Sequence, residues 1–322
     1  MAEIGRLNHA YRLVIGSPVP LKASLSSTDS SFTSPVNLDA QVQNSKNKAN
    51  AYELTTHQIE FKIIKDDSKD PNKCYVTVIN MSDDTVNYLA SNVKNNLAVI
   101  FEAGYEMGDP IKTIFKGTVE KVEDRKVGVD RETRLIFGDG TINITEATTS
   151  RSYPKGTPTK NIFTDLVKDL GTSVGQLIVD SSYAYAQGPV AFVGGTAKNI
   201  KKFADNINHS FSIQDGAAYI VPNTKRLAKT SAYISPETGL KGSPEPLTQK
   251  GKKASTNKNP ENGIKFECQL DGSIIPTSTV WVKSSQYDSA FKVTKVEHSG
   301  NFEGDDWTTT VECLLVSGVV TK

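Results

Sequence analysis

The sequence predicts a mainly β chain with a small α/β insertion between two β domains, and three observations carry that expectation. Alternating apolar and polar residues fill much of 53–140 and 264–315, the period of half-buried strands. Between them, runs with the 3.6-residue period of helices alternate with strand-like runs. Finally, one hairpin is written twice. From Lys121 the chain reads KVEDRKVGVDRETRLIF, and from Lys295 it reads KVEHSGNFEGDDWTTTVECLL. Both carry Lys-Val-Glu, a polar turn with glycine, an aspartate, a threonine and an apolar strand, and the turn reads as one residue longer in the second copy.

The 322 residues divide into four segments. Residues 1–52 hold a short strand candidate at 11–16 and then a polar arm, 17–50, rich in Ser, Asn, Asp, Thr and Pro. Such a composition buries too little apolar surface to offset its ordering entropy, so the arm is expected to order against a partner. Residues 53–150 are expected to form the first β domain. There Ile59, Phe61 and Ile63 alternate with polar residues, DDSKDPNK supplies turn chemistry, and CYVTVINM supplies the next strand. Ser82 is placed to cap a short helix, with Asp83 and Asp84 in its first turn and Val86, Leu89 and Ala90 as its apolar stripe. LAVIFEAGY and the run 114–140, bending near Gly128, return to strand. Strands interrupted by one short helix suggest a small barrel.

A polar stretch with prolines and glycine at 141–158 marks a domain boundary, and residues 151–226 read as a small α/β domain. NIFTDLVKDL puts Ile162, Phe163, Leu166, Val167 and Leu170 on one helical face, with Gly171 as a stop. QLIVD follows as a strand, Thr196 stands as the N-cap of a second helix with Ile200, Phe203, Ala204 and Ile207 inward, and FSIQDGAAYIVP turns at Asp215 and Gly216. Residues 227–322 read as the second β domain. YISPETGLKGSPEP is turn-rich, 248–262 is a charged, apolar-poor loop, and IKFECQL, STVWVKS, FKVTKVEHS and WTTTVECLL are strands.

Composition excludes several function classes. Thirty-seven basic against thirty-six acidic side chains leave a formal net charge of +1, with no bias toward nucleic acid or an anionic surface. No apolar run approaches the roughly 18 residues that span a bilayer, and the N-terminus lacks the apolar core of a signal peptide, so no membrane anchor is expected. Cys74, Cys268 and Cys313 have no C-x-x-C spacing and read as buried, reduced thiols. His9, His57, His209 and His298 have no metal-ligand spacing.

The remaining candidates are weak. FVGGTAKN, 192–199, resembles an anion site at a helix N-terminus but lacks the full phosphate-loop pattern, so a tight turn into a helix suffices. The carboxylates of GDG (138–140), EGDDW (303–307) and DDSKD (66–70) lie in turns, where acidic residues are favoured without catalysis. KGKKASTNK at 250–258 has no interleaved aromatic residue to stack a base. No residue is therefore assigned a catalytic, cofactor-binding or metal-binding role, no cofactor is expected, and the chain is not read as an enzyme. The rival reading is a module that binds or degrades cell wall through the middle domain.

Several phrases in order carry a family resemblance: CYVTVINM with the Ser82 helix, AGY at 103–105, IFKGTVEKVE, NIFTDLVKDLG, VGGTAKNIKKFADN leading to FSIQDGAAYIVP, TGLKGSPE, and HSGNFEGDDWTTTVEC. Together they resemble the baseplate hub proteins of contractile-tailed bacteriophages. The resemblance implies two β-barrels like those of a tail-tube subunit flanking the α/β domain, and a homotrimeric ring in the virion baseplate, assembled in the host cytoplasm. It implies that the six barrels of three chains face the tail-tube hexamer, and that the central spike sits below. The tape-measure protein and other baseplate proteins are further candidate partners, and DNA would pass through without being specifically bound. The arm at 17–50 and the loop at 248–262 match nothing in the family pattern.

Overall fold

The computed structural model describes residues 8–18, 51–68, 70–106, 111–247, 263–316 and 318–320. The arm, beyond Pro18, and the basic loop at 248–262 lie outside the described residues. The first β unit contains β1 (His9–Pro18), β2 (Tyr52–Leu54), β3 (Ile59–Asp66), β4 (Asn72–Ile79), helix α1 (Asp83–Asn92), β5 (Leu97–Tyr105), β6 (Lys112–Val127) and β7 (Asp130–Asp139). The middle unit follows with α2 (Thr141–Glu146), β8 (Thr148–Tyr153), α3 (Thr159–Leu170), β9 (Ser173–Leu177), β10 (Val190–Gly195), α4 (Thr196–Asn206), β11 (His209–Gln214) and β12 (Ala217–Pro222). The second β unit has β13 (Lys225–Leu227), β14 (Ala232–Ile234), β15 (Leu240–Pro246), β16 (Ile264–Gln269), β17 (Thr279–Lys283), β18 (Asp288–Asn301), β19 (Trp307–Leu314) and β20 (Gly318–Val320). The architecture is thus mainly β with an α/β insertion.

Local chemistry explains the main elements. In β4 every second residue is buried, so one face enters the core. The Ser82 hydroxyl accepts from the Thr85 N–H at the start of α1, and Val86 and Leu89 are its buried residues. In α3 the buried stripe is Ile162, Phe163, Leu166, Val167 and Leu170, and Gly171, at φ +74°, ends the helix in the left-handed conformation that suits glycine.

The two β units share a topology. In the first, the strands lie in the order β1-β5-β6-β7-β4-β3, and in the second β14-β17-β18-β19-β16-β15. Taken in chain order, the strands of each unit therefore occupy the same places in its sheet. The joints match in direction except that β1 runs antiparallel to β5 whereas β14 runs parallel to β17. Both long hairpins also break register at the same point, just before Lys121-Val122-Glu123 and just before Lys295-Val296-Glu297. Lys121 pairs Ile136 and Lys295 pairs Glu312, so the C-terminal hairpin is two residues longer, not one. The end strands of each sheet are neighbours in sequence, β2 to β3 and β14 to β15. Short connections therefore keep the two ends of each sheet near one another.

Where the sequence expects two separate β domains, a single ladder runs through both. β18 pairs β3 from Lys295↔Asp66 to Asn301↔Glu60, joining the units into one 13-stranded sheet. Each unit still has its own core: one around Leu13, Phe61, Val76, Phe101 and Phe137, the other around Ile264, Phe266, Val280, Phe291 and Val311. Trp307 belongs to the second unit by sequence yet fills the core of the first. Its Nε1 donates to the Gly104 carbonyl at 2.9 Å, and its ring meets Phe61 edge-on and stacks on His9.

Several expectations need correction. The stretch 141–158 contains α2 and β8, and β8 pairs β10, so a boundary at 150/151 cuts through the sheet of the middle unit. Its sequence hides them because TINITE is rich in β-branched residues and TTSRSY has no apolar alternation. The strand expected over QLIVD begins earlier, at Ser173, and ends at Leu177. Gly195, not Thr196, occupies the cap position of α4, and Thr196 donates its backbone N–H to the Ala147 carbonyl. The turn-rich segment after Tyr233 contains β15, bulged between Lys241 and Glu245.

Trp307→Ala should lower stability by about 3–5 kcal/mol, the usual range for emptying a large aromatic site. Denaturant unfolding followed by circular dichroism measures it, and both β units should melt together because the lost ring is shared between them.

Candidate functional site at the junction of the three units

Buried ionisable groups collect where the three units meet. The middle unit presents the tip of its β11–β12 hairpin, Asp215 and Gly216, both at positive φ (+53° and +81°). This is the two-residue turn that matches strand twist and that an Asp-Gly pair accommodates. The tip lodges against β3, β4, β6 and β7. Asp139, at the end of β7 and fully buried, accepts from the backbone N–H of Asp215 at 2.6 Å and of Gly216 at 2.9 Å. The Asp215 carboxylate takes Lys65 Nζ at 2.7 Å on each oxygen and the Lys116 N–H at 3.0 Å.

Side-chain amides complete the junction. Asn72 Nδ2 donates to the Ile213 carbonyl at 2.8 Å and to Gln214 Oε1 at 2.9 Å, while Gln214 Nε2 donates to the Asp66 carbonyl at 2.7 Å. Gly140, at φ +71°, lies directly under Ile213, where a Cβ would collide with the isoleucine side chain. The second β unit meets the other end of the same hairpin through Lys292, 2% exposed, whose ammonium donates to the Pro222 carbonyl at 2.8 Å.

Burial sets the protonation of these groups. Desolvation, helped by the charge of Asp215, pushes the Asp139 carboxyl up to about 7, while Lys65 and the two backbone donors pull the other way. Burial lowers His298 to about 3, with Lys65 adding to the effect; its Nδ1 lies 2.9 Å from the Thr309 hydroxyl. Burial also brings Lys292 down to about 8, opposed by Asp67. Asp67 is itself raised by burial. Lys65, Asp139 and Lys292 are engaged across the units, and His298 with the neighbouring strand β19. The arrangement fixes the orientation of the units.

The residues singled out in the sequence scatter. The GDG turn supplies Asp139, and the DDSKD turn meets the junction through the Asp66 carbonyl and the half-buried Asp67. In the EGDDW turn the Asp306 carboxylate stays with its own hairpin, accepting from the Ser299 and Thr308 hydroxyls, while Trp307 enters the core of the first unit. All three cysteines are free and buried, and burial pushes the Cys268 thiol up to about 12. In FVGGTAKN the Asn199 amide donates to the Val193 carbonyl, so the helix start is closed by its own chain. His209 Nε2 accepts from the Asp180 N–H, and its Nδ1 faces the Ile207 carbonyl at 2.7 Å. Among the described residues there is no group of three or more His, Cys, Asp or Glu placed to hold a metal ion, and no helix long and apolar enough to cross a membrane.

Sequence reasoning missed Lys65, Asp215 and Lys292, although a signal existed. Lys65 occupies the inward register of β3, in line with Ile59, Phe61 and Ile63. A lysine that breaks an apolar register announces a buried partner, but the partner, Asp215, is 150 residues away.

Known structures share this arrangement of strands and insertion. The 43 kDa tail protein of prophage MuSo2 from Shewanella oneidensis matches at a TM-score of 0.55 and 10% identity, over 82% of this chain and 94% of that one. A tail protein from Neisseria meningitidis matches at 0.55 and 9%, with the same coverage of both chains. The fold is one found in phage tail proteins. An Escherichia coli component of the type VI secretion system, described as similar to the bacteriophage T4 tail proteins gp27 and gp5, matches at 0.53 and 9%, over 81% of this chain and 74% of that one. No family model and no curated protein matches the sequence. At identities near 10% the likeness lies in the tail-protein fold, which this chain builds with different side chains.

Removing the cation from the junction should be severe. Lys65→Met leaves Asp215 and Asp139 with no cation, and breaking a buried pair in this way typically costs about 3–5 kcal/mol; unfolding in urea measures it. The depressed His298 gives a signed pH effect. The unfolded chain binds its proton below about pH 6.5 and the folded chain only near 3, so stability from this group is full above that window and is lost as pH falls through it. The melting temperature of His298→Gln, compared with the parent between pH 7 and 4, should fall less steeply.

Proposed function

We propose that this protein is a structural hub of a phage-type tail, a homotrimeric ring that adapts the hexameric tail tube to a trimeric central spike. The shared strand order of its two β units carries the reading. A trimer meets a hexamer without unmatched contacts only if each subunit offers two equivalent surfaces, and a duplicated β unit supplies them. The tail-protein fold supports the same role, as does the likeness to a type VI secretion component described as similar to bacteriophage T4 tail proteins. A hub needs orientation rather than catalysis, and the buried junction supplies orientation. The ring would sit in the virion tail, with the spike below it. Its centre would let DNA pass, in keeping with a net charge of +1, since a strongly basic lumen would hold phosphates through counterion release.

Light scattering on the purified chain should give about three times the 35.0 kDa of the monomer, and negatively stained particles should appear as rings with threefold symmetry and six lobes. A strictly monomeric protein across micromolar concentrations would count against the reading.

A further inference from the structure

The internal joint of the chain implies how one copy meets the next. β18 uses a single edge twice: Asp288–Lys292 pair with β17, and Lys295–Asn301 pair with β3. Its counterpart β6 pairs β5 only from Lys112 to Thr118, and among the described residues no strand lies on the continuation of that edge, where 124–127 are exposed. The counterpart of β3 is β15, which pairs β16 on one side and, among the described residues, carries no strand on the other. We propose that the β6 edge of one copy pairs with the β15 edge of a second copy, repeating between chains the joint that β18 and β3 make within one. This rests on the reading of the protein as a ring-forming hub and names the surface through which its copies join.

The register transfers residue by residue. Lys62 leads through Tyr75 and Ile136 to Lys121, and Glu245 leads through Lys265 and Glu312 to Lys295. Lys62 and Glu245 are therefore equivalent, as are Ser299 and Arg125, each four residues beyond its aligned lysine. Ser299 pairs Lys62 within the chain, so Arg125 would stand opposite Glu245 of the next copy. Opposite charges on directly facing residues favour that register. Glu123, the acidic neighbour on the diagonal, is already held by Lys121, and Arg125 itself donates to Glu132 of its own hairpin at 2.9 and 2.6 Å, so in the joint it would lie between the two carboxylates.

The hydrogen-bonding groups fit the same choice. Leu247 N–H donates to the Gly263 carbonyl on the β16 side, so the alternation of the strand turns Pro246 outward. Pro246, and Pro244 two residues before it, have no N–H to offer. Two β15 edges would face each other with few donors, whereas β6 can bring the outward N–H groups of Asp124 and Lys126 to the proline carbonyls. The prolines thus disfavour pairing of like edges and leave pairing with β6 open.

Arg125→Cys combined with Glu245→Cys tests the contact. The equivalent Ser299–Lys62 pair lies between the hydrogen-bonded pairs of its ladder, where Cα atoms are about 4.5 Å apart and a disulfide fits; the native cysteines are buried. Mild oxidation of the double variant should give chain-to-chain covalent multimers on a non-reducing gel, ending at the size of the native oligomer. Neither single variant should cross-link. If the protein assembles and the double variant links no more than the single ones, or Arg125→Cys links alone, the edge pairing is overturned and the hub reading stands. A protein that is monomeric and does not cross-link defeats both. As an independent measure, Glu245→Arg should reduce the oligomeric fraction in light scattering, and adding Arg125→Glu should restore it; failure of the swap to restore counts against the pair.

Discussion

The ladder between β18 and β3 is the contact on which the molecule depends. It places strands more than 200 residues apart side by side over seven paired residues. Without it the two β units would be joined only through the middle unit and by side-chain contacts such as those of Trp307, and their relative angle would be set by a smaller interface. With it, the angle is fixed by backbone hydrogen bonds whose geometry tolerates little change. Trp307 reinforces the same joint, because a ring carried by the second unit completes the apolar core of the first. Separating the units would open that core to water and leave the indole N–H without its carbonyl.

The middle unit is fixed by a different kind of chemistry. Lys65, Asp139, Asp215, Asn72 and Gln214 form a buried polar network at the hairpin tip. Apolar residues of the same shape could give equal or greater stability there, since desolvating charges offsets much of their attraction. Directional bonds add a single accepted orientation: two N–H groups at the turn meet one carboxylate, and one ammonium meets two oxygens. The groups converge on one another.

Sequence and structure agree where a signal is local. The alternation in β4, the Ser82 cap, the apolar stripe of α3 and the Asp215-Gly216 turn are all decided within a few residues, and each element formed where its pattern placed it. The errors have equally local causes. The edge strand β8 is polar, so no alternation marks it, and α2 is one short turn-like helix made of poor helix formers. Gly195 took the cap of α4 from Thr196 because Ala147, between α2 and β8, already supplies an acceptor for the first helical N–H.

The sequence by itself determined that the chain is mainly β, that an α/β unit interrupts it, and that one hairpin is repeated, because period, turn chemistry and repetition are properties of neighbouring residues. Only the tertiary structure decided that the two β units share one sheet, that Lys65 answers Asp215, and that Trp307 belongs to the core of the other unit. These are choices of partner between residues 150 or more positions apart. A strand carries the same alternation whichever strand lies beside it, and a buried lysine needs an acceptor without specifying which. The partner is selected when the whole chain closes around its cores, and no window of sequence contains that information.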